Sequence, residues 1–268
     1  MNLKVHEYGS YGNPTILFLH GLGVSSWMWQ DQIEALQDTY HLLAVDLPGN
    51  GESYQVEWVS FAETAVSLAN IIRNKATNGQ AHIVGLSLGG YTTLTLLANH
   101  PQLVLSAIVS GVTVRPFPDT LQYKLMPKIM SRIMGWNLTI DLMSRMMQIP
   151  DEAKPLYRRD SKNLRPQTIL RIYDEVLNFT LPTGLGQQQP RLLAVAGEKE
   201  TGLILESLAD FGAVETAVTA TIPNAHHGWN GEIPELFSEM VENWVAERPL
   251  PVGMTIHKRG VIMAETAV

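Results

Sequence analysis

The chain has 268 residues, 45% hydrophobic and 17% charged, enough to bury a sizeable core in one large α/β domain or two small ones. Its 19 Lys and Arg against 26 Asp and Glu give a net charge of −7, which argues against nucleic acid or an anionic membrane as partner; with no Cys there is no disulfide, thiol chemistry or Cys-ligated zinc. The start, Met1-Asn2-Leu3-Lys4-Val5-His6-Glu7, lacks the apolar core of a signal peptide, and no apolar run approaches the roughly 18 residues of a membrane span, so a cytoplasmic protein is expected.

Residues 3–8 alternate and predict an edge strand, closed by the turn cluster Gly9-Ser10-Tyr11-Gly12-Asn13-Pro14. Thr15-Ile16-Leu17-Phe18-Leu19 is a continuous apolar run, suited to a strand buried on both faces. It enters His20-Gly21-Leu22-Gly23, where the backbone can turn tightly and aim N–H groups at a ligand, and where His20 is read as a buried structural residue. Trp27–Leu36 predicts a short helix and His41–Val45 another buried strand. Asp46-Leu47-Pro48-Gly49-Asn50-Gly51-Glu52-Ser53 is a turn loop, with Asp46 expected to bond the turn backbone. Ser60, with Glu63 three residues on, is a candidate N-cap for a helix to about Lys75, broken at Asn78-Gly79.

The most informative stretch is His82-Ile83-Val84-Gly85-Leu86-Ser87-Leu88-Gly89-Gly90-Tyr91. A short apolar strand leads in, and a helical pattern through Leu88, Thr92, Thr95 and Leu96 leads out. Ser87 therefore sits at a sharp strand-to-helix turn in a sparsely populated backbone conformation, which costs on the order of 1–3 kcal/mol. Gly85 and Gly89 remove the Cβ atoms that would collide across such a turn. The hydroxyl is then exposed at the strand tip, over the positive end of a helix dipole, as a nucleophile requires.

Leu103–Val109 is one more buried strand, so strand and helix alternate to about Gly111 and predict a mostly parallel central sheet flanked by helices on both faces. The pattern then stops. Residues 112–189 carry Pro-bounded amphipathic helices, with Met126, Met130 and Met134 at i, i+4, i+8 and Met143, Met146 and Met147 at i, i+3, i+4. These Met suit either the core of a small helical subdomain or an adaptable apolar lid. Strand pattern resumes at Arg191–Ala196, followed by Gly197-Glu198-Lys199-Glu200, a helix from about Gly202 to Phe211, an outer strand to Ile222, the loop Pro223-Asn224-Ala225-His226-His227-Gly228-Trp229-Asn230, and a helix from Pro234 to Ala246. Residues 248–268 show no clear periodicity and read as a loose tail.

Five stretches in order resemble the α/β-hydrolase family: His20–Gly23, Asp46–Ser53, Gly85–Gly90, Gly197–Glu200, and His227-Gly228-Trp229-Asn230 with Pro234. The resemblance covers nearly all of the chain before about residue 248. It implies a core of residues 1–111 and 190–247, a helical cap of residues 112–189 inserted after the sixth strand, and a catalytic order of nucleophile, acid and histidine met by Ser87, Glu200 and His227. A serine hydroxyl needs a histidine to take its proton, a carboxylate to hold that histidine's tautomer, and amides to meet the oxyanion. By resemblance those amides are Leu22 and Leu88. His226 is the alternative histidine; Glu198, and more distantly Asp119, are alternative acids, because the family usually carries Asp where Glu200 stands. Met130 and Met146 are expected in the substrate pocket. Ser at position 87 argues against the family's Asp-dependent attack on alkyl halides and epoxides, and Leu86 lowers the case for carbon–carbon hydrolysis. The expected activity is hydrolysis of small or medium apolar carboxylic esters, without metal or cofactor. A lyase or cofactor-free perhydrolase with the same triad, or a small-molecule receptor on this scaffold, are the other readings.

Overall fold

The computed structural model describes residues 2–147, 149–185 and 190–258. The first half alternates: β1 (Val5–Tyr8), β2 (Thr15–Leu19), α1 (Gln30–Leu36), β3 (His41–Val45), α2 (Phe61–Lys75), β4 (Ala81–Leu86), α3 (Leu88–Asn99) and β5 (Val104–Ser110). Four helices follow: α4 (Leu121–Ile133), α5 (Asn137–Met146), α6 (Lys154–Asn163) and α7 (Pro166–Leu177). The chain then makes β6 (Arg191–Gly197), α8 (Gly202–Asp210), β7 (Ala217–Ile222), α9 (Trp229–Glu232), α10 (Pro234–Val245) and β8 (Thr255–Lys258).

Among the described residues, eight strands join one sheet in the order β1-β3-β2-β4-β5-β6-β7-β8. The neighbours from β3 through β7 pair in parallel, while β1 and β8 close the two edges antiparallel. Every residue of β2 and β3 is buried, because alternate side chains enter the cores on opposite faces of the sheet. Leu17 and Leu19 of β2 pack with Phe61, Leu68 and Leu94 of α2 and α3. Ile16 and Phe18 pack the other way, against Trp29 and, from α10, Phe237 and Trp244. Each fully buried Leu, Ile or Phe of this kind contributes about 1.5–3 kcal/mol. Ser60 caps α2, its hydroxyl accepting the Glu63 amide at 3.1 Å.

Two expectations need correction. The helical insertion follows the fifth strand, not the sixth that the resemblance implied, because only β1 to β5 form before it. The tail is not wholly a loose appendage, since β8 adds to the sheet against β7. Its alternation is too brief to read as a strand: Ile256 packs inward between the exposed Thr255 and His257. Residues 259–268 of the tail, and 148 and 186–189 of the insertion, lie outside the described residues.

Candidate active site

The six parallel strands all end at one edge of the sheet, and each candidate residue lies just past such an end. Leu22 follows β2, Asp46 follows β3, Ser87 follows β4, Glu200 follows β6 and His227 follows β7. That edge is where open α/β sheets hold ligands.

Ser87 joins β4 to α3 with φ 54° and ψ −116°, a conformation only a well-braced turn sustains. The brace is visible. The Ser87 amide donates to Ser110 O at 2.8 Å, and the Gly89 amide donates to His20 O at 3.0 Å. A Cβ on Gly89 would collide with the Leu19 carbonyl, and one on Gly85 with the Gly89 carbonyl, so the turn closes only with glycine at both positions.

His227 Nδ1 lies 2.9 Å from both Glu200 oxygens. Their loops are stitched together by the Glu198 amide to Ile222 O and the Lys199 amide to Ala225 O, both 2.9 Å. Beyond His227, Trp229 Nε1 donates to Ser110 Oγ at 2.9 Å and Asn230 Nδ2 to Met28 O at 2.9 Å, fixing the loop to β5 and to the segment before α1. Glu200 is buried, with 3% side-chain exposure against 43% for His227. Burial disfavours the charged ring, but the hydrogen bond and charge of Glu200 outweigh it and hold the His227 pKa above the ordinary imidazole value.

The alternatives stand elsewhere. His226 is exposed, its Nδ1 2.5 Å from Glu232 Oε1 and its amide donating to Glu232 Oε2 at 2.7 Å. Glu198 accepts the Asn224 amide at 2.8 Å. Asp119 is solvent-facing and pairs with Lys124.

Among the described residues, no protein acceptor takes the amide of Leu88, the first residue of α3, or that of Leu22. The Leu22 loop is held on three sides. Asn50 Oδ1 accepts the Gly23 amide (3.1 Å) and Asp46 Oδ1 the Ser26 amide (2.8 Å). Asp160 of α6, fully buried, accepts Ser25 Oγ (2.7 Å) and Trp27 Nε1 (2.8 Å), tying the inserted helices to this loop. Burial pushes the Asp46 carboxyl up, yet the hydrogen bonds it accepts from the amides of Ser26 and Glu52 help bring it below the usual carboxylate range. His20 is internal: with Nδ1 2.7 Å from Gly21 O and Nε2 accepting the Leu47 amide at 2.9 Å, only the neutral Nδ1–H tautomer satisfies both. Burial drives its pKa down accordingly.

Ser87 and His227 line one cavity of about 720 Å³, with Leu22 at its wall. Its apolar wall includes Trp27, Met130, Met134, Met143 and Leu156. Met146 is a correction: it is 69% exposed and does not line the cavity. Successive helical residues advance about 100°, so Met143 and Met147 share the inward side of α5 while Met146 swings outward. Among the described residues, the cavity wall carries the acidic Asp31, Glu152 and Glu232 and neither Lys nor Arg.

Gly111 escaped the reading of the sequence. It has φ +65°, and a Cβ there would lie 2.6 Å from His227 Cε1 and 3.0 Å from Glu200 Oε1. The only signal was its place at the end of a buried strand. Asp160 carried no signal for this role, since Ser25 and Trp27, which it holds, are more than 130 residues away in the chain. Among the described residues no cluster of three or more His, Asp or Glu could hold a metal.

Residues 14–140 match a family model described as the alpha/beta hydrolase fold. An AB hydrolase superfamily protein of Gibberella zeae is 27% identical over 255 residues, spanning 91% of this chain and 84% of that protein. A pimeloyl-[acyl-carrier protein] methyl ester esterase of Vibrio campbellii is 27% identical over 176 residues, 64% of this chain and 66% of that one. The solved esterase of Exiguobacterium antarcticum superposes with a TM-score of 0.76 at 18% identity, covering 91% of this chain and 95% of its own. Sheet order, the turn at Ser87 and these matches agree: the chain has the alpha/beta hydrolase fold.

Proposed function

We propose that this hydrolase cleaves carboxylic esters of small or medium apolar acyl groups through an acyl-enzyme intermediate on Ser87. The observation that carries this reading is His227 Nδ1 held by both oxygens of buried Glu200, beside Ser87 on one cavity. With Nδ1 bound to Glu200, Nε2 is the nitrogen left to take the Ser87 proton. Ser87 Oγ then bonds the acyl carbon, and the developing oxyanion meets the Leu88 and Leu22 amides. The alcohol leaves with the proton from His227. Water, activated by the same imidazole, hydrolyses the acyl-serine and restores the hydroxyl. Labelling by a fluorophosphonate, mapped to Ser87, together with turnover of short p-nitrophenyl esters tests the proposal; an inert serine and no turnover would leave the scaffold as a small-molecule receptor.

The cavity wall supports the substrate class. Each buried methylene adds up to about 0.8 kcal/mol, so kcat/KM is expected to rise by up to about fourfold per acyl carbon and fall once the cavity is full. Substituting Met130 shifts that optimum, because unbranched Met side chains shape the wall, whereas substituting exposed Met146 leaves it in place. Asp31 and Glu152 on the wall repel anions, so an acyl chain ending in a carboxylate is a poorer substrate than its methyl-ended counterpart. A flat chain-length profile, or equal rates for the charged and neutral acyl chains, contradicts this assignment.

The Gly111 contact supplies another expected outcome. Gly111→Ala places a Cβ against the imidazole at a left-handed φ and displaces it. A misplacement of about 1 Å lowers kcat by roughly 10²-fold, with KM and the circular dichroism spectrum little changed. Wild-type kcat in this variant would mean that the imidazole's present position does not matter to turnover.

A further inference from the structure

The helices that bound the cavity on their inner side carry large apolar residues on their outer side. On α4, Leu121, Leu125 and Ile129 recur at i, i+4, i+8 and are 70%, 41% and 54% exposed. On α5, Leu138 and Leu142 are 80% and 57% exposed, and Trp136 in the turn between the two helices is 62% exposed. A monomer rarely leaves apolar residues of this size together in water without a use for them.

Charge indicates what covers this face. Lys124, Lys128 and Arg132 form a second exposed stripe on α4, about 60° to 100° around the helix from the apolar one. Arg145 flanks the stripe on α5. The acidic groups nearby are answered, Asp119 by Lys124 at 2.6 Å and Asp141 by Arg158 at 2.5 Å. Residues 112–189 hold eleven Lys and Arg against seven Asp and Glu, so the insertion is net positive within a chain of −7. The overall charge, which argues against an anionic membrane, conceals this segregation. A second copy docking through the same face would oppose like charges, whereas an anionic bilayer accepts both the cations and the apolar side chains. Trp136 adds the amphipathic ring favoured at a membrane interface. No helix among the described residues is long and apolar enough to cross a membrane, so the contact would be peripheral.

We infer that the outer face of α4 and α5 docks on an anionic lipid surface, with Leu125, Ile129, Trp136 and Leu142 entering the interface and Lys128 and Arg132 meeting headgroup phosphates. The inner faces of the same helices present Met130, Met134 and Met143 to the cavity, so docking sets the cavity beside the membrane.

The test is flotation of the full chain with phosphatidylcholine vesicles, with and without phosphatidylglycerol, at low and high salt. Binding is expected only to the anionic vesicles, weakened by salt. Lys128→Glu with Arg132→Glu should lower it at least tenfold, since each basic residue near the surface is worth roughly fivefold. Leu125→Glu with Ile129→Glu should abolish it. Both pairs are exposed, so turnover of a soluble short-chain ester should persist, which checks folding independently of docking. Equal binding to neutral vesicles, no binding at low salt, or binding unmoved by either pair overturns the inference. So does sedimentation showing a dimer that the Leu125→Glu, Ile129→Glu pair dissociates.

Discussion

Ser87→Ala is expected to lower kcat for p-nitrophenyl esters by roughly 10³–10⁶-fold, the range over which triad serines act. Alanine keeps the Cβ and therefore the same backbone demand at φ 54°, so the turn braced by Ser110, His20 and the two glycines should stay in place. Ester binding should survive, visible as a KM near the wild-type value, while labelling by the fluorophosphonate disappears. A second substitution separates strain from chemistry. Ser87→Gly removes hydroxyl and Cβ together and relieves a conformation costing on the order of 1–3 kcal/mol, so it should melt higher than Ser87→Ala while being equally inactive. Near-normal turnover in either variant means that another residue bonds the acyl group.

How much of this was legible in the sequence depends on the range over which each feature is determined. The buried strands are local, and runs such as Thr15–Leu19 and His41–Val45 show them because a two-sided parallel strand has no polar face. The turn at Ser87 is legible from its own residues too: Gly85 clears the Gly89 carbonyl within the turn, while Gly89 clears the Leu19 carbonyl of neighbouring β2. The pairing of Glu200 with His227 was reachable only through what the family resemblance implies; in the structure both follow the ends of neighbouring strands β6 and β7. Three things were not reachable. Met146 differs from Met143 and Met147 only in angle around α5, and the helix's rotation against its neighbours decides which angle faces the cavity. Asp160 acquires its role from Ser25 and Trp27, which only the packed insertion brings near. β8 is held by backbone pairing at an edge, which leaves almost no mark on side-chain pattern.

Glu200→Gln is the other large expected effect, up to about 10⁴-fold in kcat, because an amide offers Nδ1 a donor as readily as an acceptor and releases the imidazole tautomer. Its pH dependence distinguishes it from simple misfolding. His227 works as a base only when neutral, so wild-type kcat/KM should fall on the acid side with a pKa above the ordinary imidazole value, the direction that Glu200 imposes on the ring. Removing the carboxylate's charge should move that limb to lower pH while lowering the plateau. Stability follows the same sign. A ring whose pKa is raised by folding contributes stability that is fully present below its unfolded pKa and is lost as pH rises through the folded value. Glu200→Gln should therefore lower the melting temperature more at acidic than at alkaline pH, and modestly, since the imidazole is 43% exposed and partly screened. Glu198→Gln should leave both the plateau and the acid limb unchanged, because that carboxylate bonds the Asn224 amide. A silent Glu200→Gln beside an inactive Glu198→Gln would transfer the orienting role to Glu198 and require the two loops to rearrange before catalysis.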